Sequence, residues 1–351
     1  MKIRNIFLTI IATLFLSACS LGTSGSDGGI FRSDDGGKSF SQKVNIDEKS
    51  RIGGVDALSL AANPQNGNEV YIGTKASGIW KTENGGENWR QLKISNFTPS
   101  KVYAMAVDPT DPKIIYATVS INNRGKIIKS EDAGESWKDV YTEPSSGTLV
   151  LSLAIDPQNS GYIYAGTAKG LVLLSENGGQ SWRNLWMAQA EVYKIAVDSA
   201  NSKNVYFAVF GNTVLRTKDG GKTIEDLAEK KRFDFNQQNQ LRKATAVATD
   251  PNHADWVFLG SADGLFRSKD GGENWEAVKI LLKPQEQAIR SVSINPQNSD
   301  EIVFGASQAF YKSIDGGLSW STVQFESTRS IETTAYNRQN PATIYVGMNK
   351  R

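Results

Sequence analysis

Asp56 and Glu332 are the two carboxylates in this chain whose placement suits joint acid–base work. Seven short apolar segments each end on an aspartate or asparagine, at Asn63, Asp108, Asp156, Asp198, Asp250, Asn295 and Asn337. Five residues before that position stand Leu58, Tyr103, Leu151, Tyr193, Thr245, Arg290 and Glu332. Seven before it stand Asp56, Lys101, Leu149, Glu191, Lys243, Ala288 and Ser330. If the segments are equivalent strands around an axis, each set is a ring. Hydrolysis of a glycosidic bond needs two carboxyl groups, roughly 5–5.5 Å apart for retention or roughly 6.5–9.5 Å apart for inversion. Asp56 and Glu332 on adjacent segments are that candidate pair. The rings also offer two tyrosines (Tyr103, Tyr193), three cations (Lys101, Lys243, Arg290) and three carboxylates (Asp56, Glu191, Glu332), the make-up of a binding site. The plain alternative is a solvated rim with ion pairs such as Arg290 with Glu332.

Other chemistries have little to work with. His253 is the only histidine, and it falls in a turn, which argues against Ser–His hydrolysis and His-rich metal sites. No run of Asp and Asn has calcium-loop spacing. No phosphate loop or dinucleotide fingerprint is present. The sequence therefore implies no cofactor and no metal.

The elements that position the rings follow from a repeat. Ser33-Asp34-Asp35-Gly36-Gly37-Lys38-Ser39-Phe40 returns as Thr82-Glu83-Asn84-Gly85-Gly86-Glu87-Asn88-Trp89 and Ser130-Glu131-Asp132-Ala133-Gly134-Glu135-Ser136-Trp137. Further copies start at Ser175, Thr217, Ser268 and Ser313, at intervals of 42 to 51 residues. The glycines supply the positive φ of a tight turn. Asp or Asn can bond the turn backbone, and the closing Trp has a large face to bury. Two copies are degraded, with Ile224 and Phe40 in place of Trp. Before most copies run two strands, as in Leu153-Ala154-Ile155-Asp156-Pro157 and Tyr162 to Thr167.

This pattern resembles the Asp box, or bacterial neuraminidase repeat, of sialidases, sortilin-type receptors, xyloglucanase-type glycosidases and photosystem assembly factors. The resemblance spans residues 29–351. It implies an all-β, seven-bladed propeller of four-stranded blades, with the box as a fold element far from any site. Sialidases need an arginine triad and a Phe-Arg-Ile-Pro-like start; Ile30-Phe31-Arg32-Ser33 belongs to a box strand instead. Xyloglucanase-type enzymes pair two propellers around a cleft with one catalytic Asp on each, and this chain has one. The resemblance thus implies binding or assembly with a protein, peptide or polysaccharide. The alternative it leaves is a glycoside hydrolase acting on a β-glucan through Asp56 and Glu332.

The last strand pair, Ile331 to Gly347, has no box after it, and the first box has no pair before it. Residues 29–40 are therefore expected to complete the final blade and close the ring. A propeller's turns divide between two faces. One carries the boxes and is nearly uniform. The other varies, and sites live more often in variable loops on a rigid frame. Its longest crossover is Glu225 to Ala244, with Lys230-Lys231-Arg232-Phe233. Its longest hairpin loop is read as Val119 to Gly125, with Arg124 as a candidate ligand contact.

The N-terminus reads as a targeting signal. Lys2 and Arg4 precede an apolar run from Ile6 to Leu16, too short to span a bilayer as a mature helix. Leu16-Ser17-Ala18-Cys19 resembles the lipobox of bacterial lipoproteins. That resemblance implies a signal peptide over 1–18, lipidation of Cys19, a flexible tether over 19–28 and a propeller over 29–351, on the extracytoplasmic side of a bacterial membrane. Cys19 is the only cysteine, so no disulfide framework exists. Without Lys2 and Arg4 the basic and acidic side chains are equal at 37, which argues against nucleic acid as a partner.

Overall fold

A computed structural model of the chain describes residue 27 and residues 29–52, 54–94, 101–229, 235–283 and 285–350. Cys19 with its leader, Lys230-Lys231-Arg232-Phe233, and all of the expected tether except Asp27 lie outside the described residues. Within them, 28 strands form seven four-stranded antiparallel sheets. The inner strands are Ala57–Asn63, Lys101–Val107, Val150–Ile155, Val192–Val197, Ala244–Thr249, Ile289–Asn295 and Ser330–Tyr336, for blades one to seven. Each packs against the inner strands of both neighbours, and Ser330–Tyr336 meets Ala57–Asn63 to complete the circle.

The seventh blade is shared as expected. Its strand order is Ser41–Gln42, Ile30–Ser33, Ile344–Asn349, Ser330–Tyr336. Ile30 pairs with Gly347, Phe31 with Val346, Arg32 with Tyr345 and Ser33 with Ile344. The outer strand lies just beyond Phe40, because Phe40 itself turns inward onto Phe310 and Phe325, at 4.8 and 5.1 Å between ring centroids.

All seven boxes share one hydrogen-bond scheme. The hydroxyl of the opening Ser or Thr accepts the amide of the second glycine, for example Gly37 to Ser33 at 2.8 Å and Gly272 to Ser268 at 2.7 Å. The Asp or Asn accepts the amide four residues on, as from Ser136 to Asp132 at 2.8 Å. Each box also donates an amide to its own blade's first hairpin, as from Gly85 to Asn68 O and from Gly316 to Asp300 O. Boxes and Asp-Pro turns therefore lie on one face. Several blades are also stapled to the next by a cation just before the box. Arg32 donates to Gly85 O, Arg267 to Gly316 O and Lys312 to Gly36 O.

The box acids make the fold acid-sensitive. The Ser136 hydroxyl and amide hold Asp132 at a pKa of about 2, and those of Ser319 do the same for Asp315. An unfolded aspartate titrates near about 3.9. Stability from these groups is therefore complete above that value and is lost as pH falls toward 2. The melting midpoint is expected to fall steeply between about pH 4 and 2. The Asp132→Asn/Asp315→Asn variant should show a shallower fall, since Asn84 and Asn177 already fill this position in other boxes. An equal slope in both proteins would remove the boxes as its cause.

Candidate functional site

The mouth of the channel opposite the boxes is built by a repeated irregularity. Every inner strand carries a β-bulge at the same place. The register skips one residue between Ala57 and Ser59, Val102 and Ala104, Val150 and Ser152, Val192 and Lys194, Ala244 and Ala246, Ile289 and Ser291, and Ile331 and Thr333. The skipped residues are Leu58, Tyr103, Leu151, Tyr193, Thr245, Arg290 and Glu332, the ring aligned five before the Asp/Asn. A bulged residue is released from the ladder, so its side chain is re-aimed. All seven are half-buried, while the residue before each is buried. The glycine on the second strand opposite several bulges leaves room for this packing. A Cβ on Gly166 would lie 2.5 Å from Val192 O.

Tyr193 feels the charges of two other members of this ring. Burial pushes the Tyr193 hydroxyl up, Arg290 pulls it down and Glu332 pushes it up further. Blades four, six and seven therefore meet within electrostatic reach. Tyr193 also donates to Ala244 O of blade five and stacks edge-on with Phe210 at 5.9 Å. It braces two blades as well as lining the mouth. Tyr103 is raised by burial and then by Glu191, so blades two and four face one another there.

The second ring divides. Lys101 and Glu191 are exposed. Lys243 is paired with Asp263 at 2.8 Å. Asp56 accepts from Arg329 Nε at 2.8 Å and from the Lys350 amide at 2.7 Å, both at Oδ1. Arg329 also pairs with Asp27 at 3.0 Å and donates to Gly54 O at 2.8 Å. Asp56 is thus tied into the clasp that holds Asp27. One oxygen of its carboxylate, Oδ1, takes both donors, a cation among them.

Arg329 escaped the alignment because it lies one position beyond the outermost aligned residue. The reading of Val119 to Gly125 as a loop is corrected. Strands Ile115–Ile121 and Arg124–Ser130 run almost into each other. Only Asn122 and Asn123 turn, at φ of 52° and 59°, as a two-residue hairpin prefers. Arg124 is exposed at its edge, next to Gly125, whose amide donates to Thr148 O just before the third bulged strand. Glu225 to Ala244 is not loop throughout, since Phe235–Arg242 is helical.

The axis also opens among the Asp-Pro turns, in a cavity of about 350 Å³ lined by Ala154, Ala248, Ser293 and Ala335. Small residues two before the Asp/Asn do face the axis, as expected. Arg338 lines the same cavity, where five other blades have proline. That departure was visible in the sequence.

The sortilin, neurotensin receptor 3, family model matches residues 28–146, and the photosynthesis system II assembly factor YCF48 model matches residues 229–332. No curated protein matches the chain. Among solved structures, the GH74 xyloglucanase from Xanthomonas campestris superposes with a TM-score of 0.70 at 14% identity, over 84% of this chain and 51% of that one. The chain thus spans about half the length of that enzyme. YCF48 bound to a D1 peptide gives 0.63 at 12% identity, over 84% and 92%. YCF48 from Cyanidioschyzon merolae gives 0.62 at 13%, over 84% and 95%. At such identities the solved structures speak to fold alone. With seven Asp boxes, seven blades and a shared closing sheet, the chain is a seven-bladed β-propeller of Asp-box repeats, similar over part of its length to the sortilin and YCF48 family models.

Proposed function

We propose that the chain is a cell-envelope binding protein, anchored through a lipid on Cys19, that captures an extended peptide of a partner at the mouth opposite the boxes. The observation that carries this reading is the sevenfold bulge. A nearly identical backbone presents five kinds of side chain over seven positions of one ring, so the frame is repeated while the displayed chemistry is not. Tyr103, Arg290 and Glu332 offer an aromatic face and both charges, which suit a peptide better than a neutral glucan. The likeness to YCF48, solved with a D1 peptide, supports the same ligand class. Hydrolysis of a glycan is the weaker reading, because Asp56 is engaged by Arg329.

Photo-crosslinking in the intact envelope tests the reading. A benzophenone side chain at Leu58 should trap a discrete partner, and one at Lys222 on the box face should not. Arg290→Ala should weaken capture by about tenfold or more, the cost of losing a central arginine anchor. Because Tyr193 braces two blades, it is left intact in this test. Cys19→Ser should abolish palmitate labelling and leave an unprocessed precursor. Cleavage of a β-glucan by the purified protein, lost in Asp56→Asn, would replace binding by catalysis.

A further inference from the structure

The box face carries a belt of ion pairs between blades. The sixth residue of a box reaches back to a cation of the preceding blade. Glu87 meets Lys43 at 2.5 Å, Glu135 meets Arg90 at 2.5 Å, and Glu273 meets Arg216 and Lys218 at 2.5 and 3.2 Å. The second residue faces forward along its own blade. Glu131 takes Lys129 and Lys138 at 2.9 and 2.8 Å, and Glu83 takes Lys81 at 2.8 Å. Across the seven boxes the second position reads Asp34, Glu83, Glu131, Glu176, Lys218, Lys269 and Ile314. The sixth reads Lys38, Glu87, Glu135, Gln180, Lys222, Glu273 and Leu318. Blade six alone is apolar at both, and Ile314 and Leu318 are 67% and 83% exposed.

The break continues into the next junction. Lys38 of blade seven and Lys312 of blade six line the same junction, whereas three other junctions pair opposite charges. A cavity of about 390 Å³ opens there, lined by Lys38, Lys312, Ile314 and Trp320. Lys312 is matched by Glu301 at 2.6 Å. Among the described residues no carboxylate pairs with Lys38. An exposed apolar pair beside an unmatched cation complements an apolar side chain beside an acid.

We propose that this break in the belt is a docking surface for a segment of another protein in which an apolar side chain is flanked by carboxylates. The apolar side chain seats in the cavity against Ile314 and Trp320, and a carboxylate meets Lys38. Leu318 extends the contact over the box tip. Lysines beside apolar residues also suit an anionic bilayer, but Asp27 is pinned on the opposite face, by Ser327 and Thr328 at 2.7 and 2.9 Å. A lipid carried upstream of Asp27 leaves the box face turned from the membrane. This surface is independent of the mouth, and only the choice of a protein over a bilayer rests on the lipid proposed on Cys19.

The probe is a short fluorescein-labelled peptide with one leucine among glutamates, compared with the same peptide carrying lysines for the glutamates and with one carrying alanine for the leucine. The first should bind saturably by fluorescence anisotropy, and more weakly in high salt. Ile314→Glu/Leu318→Glu should weaken it by about tenfold or more, as should Lys38→Glu. The double variant should keep the wild-type melt, because glutamate is native at both positions in other boxes. Absence of binding, equal binding of all three peptides, or unchanged binding by the double variant would overturn the proposal. So would a wild-type dimer that the double variant splits, or flotation with phosphatidylglycerol vesicles that it abolishes.

Discussion

Ile30→Asp is expected to open the ring, with a loss of about 4 kcal/mol or more in urea unfolding. Ile30 is 1% exposed and packs with Val44, Val55, Ala57 and Tyr345. A carboxylate there has no cation among those neighbours and loses the apolar contact as well. The position matters beyond its own burial. Among the described residues, 30–33 form the only strand that covers the outer edge of Ile344–Asn349; the bond from Met348 to Gly29 O extends that pairing, and the bond from Gly29 to Val55 O ties the strand to the segment that enters blade one. Detachment leaves an open ladder next to a ring whose blades hold only their neighbours. The variant should therefore aggregate on warming. Amide exchange should rise first at Tyr345 and Gly347, then in blade one. Ser41→Asp, on the exposed outer strand, should change little. An Ile30→Asp protein that melts like wild type would show that the ring is held shut elsewhere.

The blade count, the shared blade and the common face of boxes and Asp-Pro turns were legible because each rests on something that repeats. Periodicity survives the degraded copies at Phe40 and Ile224, since the hydroxyl and the glycines still close the turn. The role of the opening Ser or Thr was less visible. A hydroxyl at a turn is common, and only the structure shows all seven accepting the second glycine. The bulges were missed although the alignment pointed at them. A position that reads Leu, Tyr, Leu, Tyr, Thr, Arg and Glu between buried residues on one side and mostly small ones on the other breaks strand alternation, and a bulge is what permits that. Of the candidate ligand contacts, the bulge positions are gathered by the fold. Lys243 and Asp56 are drawn into ion pairs, and Arg329, the partner of Asp56, could not be inferred from spacing because it comes from a crossover. The cation before the box was readable in six of the seven copies, with Leu174 as the exception.

Arg216→Met is the second substitution with a large expected effect. Arg216 is 1% exposed, donates to Gly271 O, and is paired with Glu225 and Glu273. It joins blade four to blade five from inside the belt. Its removal leaves two carboxylates facing each other without the guanidinium between them, with Lys218 near Glu273 at 3.2 Å. Breaking one partner of a buried charge cluster costs about 3–5 kcal/mol. Since Glu225 is half exposed, the lower end, about 3 kcal/mol, is expected by urea unfolding. The cluster differs from a catalytic acid pair in a way that can be measured. Arg216→Met/Glu225→Gln/Glu273→Gln should recover much of the loss, because removing every charge of a buried cluster is close to neutral. A triple variant no more stable than the single one would mean that the arginine acts through its bond to Gly271 O alone. If recovery is seen, the fourth junction owes its closure to charge neutrality, which is what the junction between Lys312 and Lys38 lacks.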